Sequence, residues 1–204
     1  MKQHDKMKVA LRYWLLGASH GNSDFLMCVD ALEFASSFHT GKRKDGVTPE
    51  FAHQVTIANY LRTLVPSIDS PAETIAVALL HDVAEDYDVG FDELEVKFGI
   101  HVAKSVELLT KTHRGTKKSM ESYFDGISKD PIASVVKGAD RIHNLQSMSG
   151  VFTVEKKKAY LEEATEFIVP ALKVARRLFP SQEPAYENIK LVLNSQIELI
   201  TLTL

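Results

Sequence analysis

The sequence has a single cysteine, Cys28, so no intrachain disulfide can staple the fold, and a reducing, cytoplasmic setting is expected. It has no excess of basic charge. The formal net charge is -3, which leaves no broad positive field to hold nucleic acid, and no nucleic-acid partner is expected. It has no apolar run long enough to cross a bilayer, so no membrane association is expected either. Val9 to Leu16 is apolar but short, Arg12 interrupts it and no small-residue cleavage site follows, so it does not read as a signal peptide. Alternating strand patterns, internal repeats, low-complexity tracts and linkers are lacking as well. A chain of 204 residues suits one domain with a substantial core, expected over residues 1–204.

Helical periodicity is what the chain does have. Asn22, Ser23 or Asp24 caps a helix over 24–39, in which Cys28 reads as a small buried hydrophobe. Gly41 to Pro49 is a basic, polar loop. Thr48-Pro49-Glu50 opens a helix to about Leu64, and Ser70-Pro71-Ala72-Glu73 opens another, expected to run unbroken to Asp86. Helices are expected over 91–98 and 100–110, a second basic loop over 113–118, and further helices over 119–127, 131–148, 154–178 and 183–200. Pro170 is expected to kink the helix it interrupts. The fold class is all-α, a bundle of about eight to ten helices. The apolar tail from Ile197 to Leu204 is expected to pack on the core or on a second copy of the chain, which would make a homo-oligomer.

One run carries chemistry. After Ala78-Leu79-Leu80 come His81, Asp82, Glu85 and Asp86. On a continuous helix His81 and Glu85 share a face, as do Asp82 and Asp86. Three carboxylates and an imidazole in a stretch that otherwise reads as core need neutralising, and a divalent cation does this. A His-Asp pair alone is more often a core histidine beside a solvated acid. Two other places change that balance: His53, one turn into the helix that Pro49 starts, and Asp140, which follows two small residues in Lys137-Gly138-Ala139-Asp140. His53, His81, Asp82 and Asp140 form a mixed nitrogen and oxygen set suited to Mn, Fe or Zn. An all-oxygen Mg or Ca site fits less well.

The order of a His, an adjacent His-Asp and a distant Asp resembles the HD superfamily of metal-dependent phosphohydrolases. The likeness runs through Gly41-Lys42-Arg43-Lys44-Asp45-Gly46, Thr48-Pro49, His53, Leu79 to Asp86, Phe98-Gly99, Thr110-Lys111 and Lys137 to Leu145. Over roughly 25–150 the chain is similar to the hydrolase domain of RelA/SpoT homologues, enzymes that remove the 3′-pyrophosphate from guanosine tetra- and pentaphosphate. The resemblance implies an HD-type bundle completed by the helices after residue 150. It implies a small alarmone hydrolase, because 204 residues leave no room for the synthetase and regulatory domains of the long relatives. It implies one Mn2+ held by His53, His81, Asp82 and Asp140, with Glu85 and Asp86 positioning and deprotonating the attacking water. The same resemblance puts Arg43 against the base, Lys44 near phosphate and Lys117 near the pyrophosphate. Asn144 and Ser147, four and seven residues beyond Asp140 on one helix face, then meet the ribose of a guanine nucleotide, ppGpp or pppGpp. Arg141 and His143 are expected to brace the ligands. Two alternatives stand beside this: the same scaffold acting on an adenosine alarmone or NADPH, and a silent nucleotide-binding module. Glu85-Asp86 argues against the second, since a sensor has no need to activate water.

Three positions depart from the family pattern. Gln54 stands where His-Pro is usual, Tyr87 where Thr often follows Glu-Asp, and Gly138 where Leu-Ala-Asp is usual.

Overall fold

The computed structural model describes residues 3–204. Among them the chain is helical apart from one two-stranded hairpin and an isolated bridge between Lys42 and Pro49. Helix α1 (Gln3–Ser19) fully buries Leu11 and Leu15 and half-buries Met7, Trp14 and Ala18 on the same side, while its first turn is polar. Helix α2 (Phe25–Phe38) buries Cys28, Ala31, Leu32 and Ala35, a 3–4 spacing that faces one side inward. Cys28 is fully buried as expected, and burial raises its thiol pKa to about 12. Helix α3 (Ala52–Leu61) begins three residues beyond Pro49 and passes into a 3-10 turn, Arg62–Ser67, that contains Pro66.

The acidic run is not one helix. Helix α4 (Pro71–Leu80) stops at Leu80 and a short α5 (Val83–Tyr87) starts after Asp82. The reason is geometric. Adjacent residues on a straight helix point about 100° apart, whereas the turn at His81 and Asp82 brings both side chains to one centre. Asp88, in the left-handed region at φ 56°, ends α5.

Helices α6 (Phe91–Phe98) and α7 (Ile100–Leu109) join at Gly99, whose φ of 86° a side chain would strain. The second basic loop is a hairpin of β1 (Thr112–His113) and β2 (Thr116–Lys117). Arg114 and Gly115 both have positive φ, the conformation of a tight two-residue hairpin turn. Arg-Gly is not a strong hairpin signal, and strands this short carry no period, so the sequence reads as loop.

Helix α8 (Met120–Ser128) is capped by Ser119, which accepts the Ser122 N–H, and α9 (Pro131–Ser147) by Asp130, which accepts those of Ile132 and Ala133. Helix α10 (Val154–Glu163) continues into a wide π turn, Ala164–Ile168, and then α11 (Val169–Leu178). Pro170 sits in the first turn of α11, directly after the π turn, so the helical run it is expected to kink changes its hydrogen-bond pattern just before it. A 3-10 turn, Pro180–Gln182, leads into α12 (Glu183–Thr201). In the tail, Ile197 and Ile200 pack against the core while Leu199, Leu202 and Leu204 are exposed. Among the described residues no helix is long and apolar enough to cross a membrane.

Helix α4 is the axis of the core, with all its residues from Thr74 to Leu80 buried. Helices α2, α3, α7 and α9 pack around it. Helix α12 covers α9 from the other side, and Gly138 makes that approach feasible. A Cβ there would lie 2.5 Å from Ile189 Cγ2 and 3.3 Å from Leu172 Cδ2. The family's leucine cannot stand at this position with α11 and α12 where they are. Gly138→Ala should therefore destabilise the protein by ~1–3 kcal/mol through overpacking. The gain in helix propensity, about 1 kcal/mol, offsets this only in part, because Ile189 is fully buried and has no room to yield. Thermal unfolding checks it; an unchanged or raised midpoint would refute the close packing.

Candidate metal centre and nucleotide cavity

Three helices deliver one cluster. His53 comes from the first turn of α3, His81 and Asp82 from the break after α4, and Asp140 from the middle of α9. His53 Nε2 lies 3.1 Å from Asp140 Oδ1 and 3.7 Å from Asp82 Oδ2. His81 Nε2 lies 3.1 Å from Asp82 Oδ2 and 3.9 Å from Asp140 Oδ1. Each imidazole is oriented from behind. His81 Nδ1–H donates to the Ala78 carbonyl at 2.9 Å, which puts its lone pair on Nε2. That Nε2 is buried and has no hydrogen-bond partner. His53 Nδ1 lies 2.7 Å from Nδ1 of His143, so Nε2 again faces the carboxylates. Buried, back-bonded imidazoles aimed at two carboxylates are the usual support of a metal site, and these residues fit a divalent transition-metal cation.

The charges agree. Burial pushes the Asp82 and Asp140 carboxyls up, yet both lie well below the usual range: His81 outweighs burial at Asp82, and Lys137 and His53 do so at Asp140. Burial disfavours a charged His81, but Asp82 and Asp140 prevail and raise it to about 9, so a proton and a cation would compete for Nε2 in this negative field. Burial, then the nearby His53 and Arg43, lowers His143 to about 3, so it braces His53 as a neutral ring. His143 thus contacts His53, the residue it is expected to brace. Arg141 does not: it pairs with Glu163 and lies over the Tyr160 ring, tying α9 to α10. Asp140 Oδ1 accepts from Asn144 Nδ2 at 2.5 Å and Oδ2 from Lys137 Nζ at 3.1 Å.

The cluster lies on the wall of a cavity of about 1100 Å3. Glu85 and Asp86 line the same cavity from α5. Glu85 Oε2 accepts the Lys111 N–H at 2.9 Å. Partial desolvation, with Asp82, Glu50 and Glu85 nearby, raises Asp86 to about 6. Opposite them, Arg43 Nη2 donates to Ser147 Oγ at 3.4 Å and approaches Asn144 Oδ1 at 3.5 Å. Three residues from two distant parts of the sequence thus meet. Lys44 Nζ lies 5.2 Å from the Phe152 ring centre, beside Lys156, whose contact lowers its pKa. Lys117 is exposed on β2 and is not among the cavity's lining residues. Lys111 and Lys137 line it instead. Both stand in the quoted motifs, but their direction becomes readable only once the helices are packed. His4 of α1 also lines the cavity, and no spacing in the sequence connects it to the site.

Two of the departures are repaired locally. Gln54 Nε2 donates to Asp82 Oδ2 at 3.0 Å, which fixes the direction of that carboxylate within the cluster. Tyr87 O–H donates to Glu50 Oε2 at 2.7 Å.

The HD-domain family matches residues 31–170, well over half of the chain, and the chain belongs to that family. Its similarity to particular members is as follows. It is 35% identical over 145 residues to a guanosine-3′,5′-bis(diphosphate) 3′-pyrophosphohydrolase of Aquifex aeolicus, covering 69% of this chain and 20% of that protein. It is 32% identical over 145 residues to a probable enzyme of the same name from Synechocystis, covering 67% of this chain and 18% of that one. The chain therefore matches about a fifth or less of the length of these curated relatives. Its fold is similar to that of a metazoan ortholog of SpoT that hydrolyses ppGpp, at a TM-score of 0.62 and 21% identity, covering 85% of this chain and 94% of the other.

Proposed function

We propose that this protein hydrolyses the 3′-pyrophosphate of (p)ppGpp, giving GDP or GTP plus pyrophosphate, with Mn2+ at the site. The observation that supports it most is a single cavity holding both the His/Asp cluster with Glu85 and Asp86 and the Arg43, Asn144 and Ser147 group. Neither half alone selects a nucleotide pyrophosphate. His53, His81, Asp82 and Asp140 would hold the cation, which when bound would supply charge against the phosphoryl oxygens and acidify a water.

The chain's own residues do the rest. Water adds to the phosphorus next to the ribose 3′ oxygen, the bond between them breaks, and pyrophosphate departs. The water's proton goes to a carboxylate of the Glu85 and Asp86 pair, and the 3′ oxygen takes up a proton to become hydroxyl. Asn144 and Ser147 bond the sugar and fix which phosphate meets the cluster. Arg43 presents a planar guanidinium to the purine. Lys44, Lys111 and Lys137 supply cations for the phosphates, and Lys117 joins them only if the hairpin swings inward. The relatives' names favour a guanine nucleotide over an adenosine alarmone or NADPH. Residues 1–204 would act as one HD-type unit, in the cytoplasm.

Stacking is felt in ground and transition states alike, so Arg43→Ala should raise KM about tenfold and leave kcat within a few-fold. Steady-state kinetics checks this; a kcat loss at constant KM would assign Arg43 a different task. The experiment for the function itself is turnover of a panel of ppGpp, its adenosine analogue and NADPH with Mn2+. The expected result is preference for ppGpp. Preference for NADPH or the adenosine compound would overturn the guanine assignment, and no turnover of any would overturn the activity.

A further inference from the structure

A second donor set adjoins the first. His39, just past α2, Glu50, in the turn before α3, and Asp86 of α5 offer ligand atoms that all lie within 4.8 Å of one another. Two carboxylates alone would be an unremarked acidic pair. The histidine changes that. His39 is 3% exposed, and neither ring nitrogen has a hydrogen-bond partner. A buried polar group left unpaired costs about 1–3 kcal/mol, so this ring wants a partner that the protein does not supply. Its Nδ1 faces Glu50 Oε1 at 3.8 Å. That is too long for a hydrogen bond. It is a span that two ligands, each about 2.0–2.2 Å from a common ion, can bridge.

The ring is also held in place. It stacks on Phe51 with centroids 6.0 Å apart and meets the edge of Tyr87 at 4.8 Å. Glu50 is held from the far side. Its Oε2 accepts the Tyr87 hydroxyl at 2.7 Å and the Gly41 N–H at 3.3 Å, which leaves Oε1 turned towards His39. Donors behind a carboxylate that orient its free oxygen are the support metal ligands ordinarily have. Glu50, Asp86 and Tyr87 line the same cavity as the first centre, so an ion can reach the carboxylate side of the donor set; the buried His39 is not itself among the lining residues. Tyr87 is one of the positions where this chain departs from the family pattern.

We propose that His39, Glu50 and Asp86 hold a second divalent transition-metal cation beside the one assigned to His53, His81, Asp82 and Asp140. One imidazole and two carboxylates suit Mn2+, Fe2+ or Zn2+. Asp86 then acts as a ligand, and Glu85 is the carboxylate of the pair left free to take a proton. The binding claim does not depend on the nucleotide, and its test reads no activity. Equilibrium dialysis against saturating Mn2+ with elemental analysis should give two ions per chain for the natural protein and one for Glu50→Gln, which keeps an oxygen for Tyr87. Anomalous diffraction from Mn2+-soaked crystals of the natural protein should show a peak between His39 and Asp86 as well as one at His53 and His81. A single ion per chain at saturation, or two retained in Glu50→Gln, overturns the proposal and leaves His39 as packing between Phe51 and Tyr87. If ppGpp is not turned over but two ions bind, the function falls and this site stands.

Discussion

Asp140→Ala should lose the ion assigned to the His53, His81 and Asp82 cluster and fall to background turnover. Asp140 is 5% exposed, and its Oδ1 lies 3.1 Å from His53 Nε2. Its other oxygen holds the buried Lys137 ammonium at 3.1 Å. The substitution therefore deletes a ligand and strands a positive charge at the same point. Loss of a mere supporting hydrogen bond costs ~10–100-fold in metal affinity, and loss of a ligand should cost more. Elemental analysis of the dialysed variant against the natural protein checks this. A variant with undiminished metal at the cluster would sink the site. Stability should follow the metal. Metal at a hundred times its dissociation constant should stabilise the fold by about 2.7 kcal/mol, and the gain should vanish in Asp140→Ala.

Glu85→Gln and Asp86→Asn should each bind the first metal ion and substrate almost as well as the natural protein and turn over ~10²–10⁴ times more slowly, the usual loss when a group that orients or deprotonates water is removed. Both side chains line the cavity, and neither belongs to the His53, His81, Asp82 and Asp140 set. Rates should fall in kcat while KM stays within a few-fold. Near-normal kcat in both variants would mean that another base does the work.

The sequence carries more of the site than of its surroundings. Histidine and aspartate are rare inside apolar helices, so His53, His81, Asp82 and Asp140 stand out wherever the backbone places them, and the structure brings all four together. The break after Leu80 is not legible, because nothing in Leu79-Leu80-His81-Asp82 disfavours a helix. The break shows only in the structure, where His81 and Asp82 turn to one centre. Helix α1 is missed for another reason: its apolar stretch from Val9 to Leu16 is short and broken by Arg12, and the stripe of Met7, Leu11, Trp14, Leu15 and Ala18 shows only once it is packed. Gly138 shows as a departure in sequence, but its cause, Ile189 on a helix fifty residues later, is visible only in the packing. His39 reads as an ordinary histidine at a helix end until burial shows both its nitrogens without partners.

The central claim is that the cavity sets water against the phosphorus on the 3′ side of a guanosine polyphosphate. Product analysis by ion-exchange chromatography after incubation of ppGpp with the Mn2+-loaded protein tests it most directly. GDP and pyrophosphate in equal amounts are the expected products. Release of single phosphate, or cleavage of the 5′ diphosphate, would contradict it even with the metal centre intact.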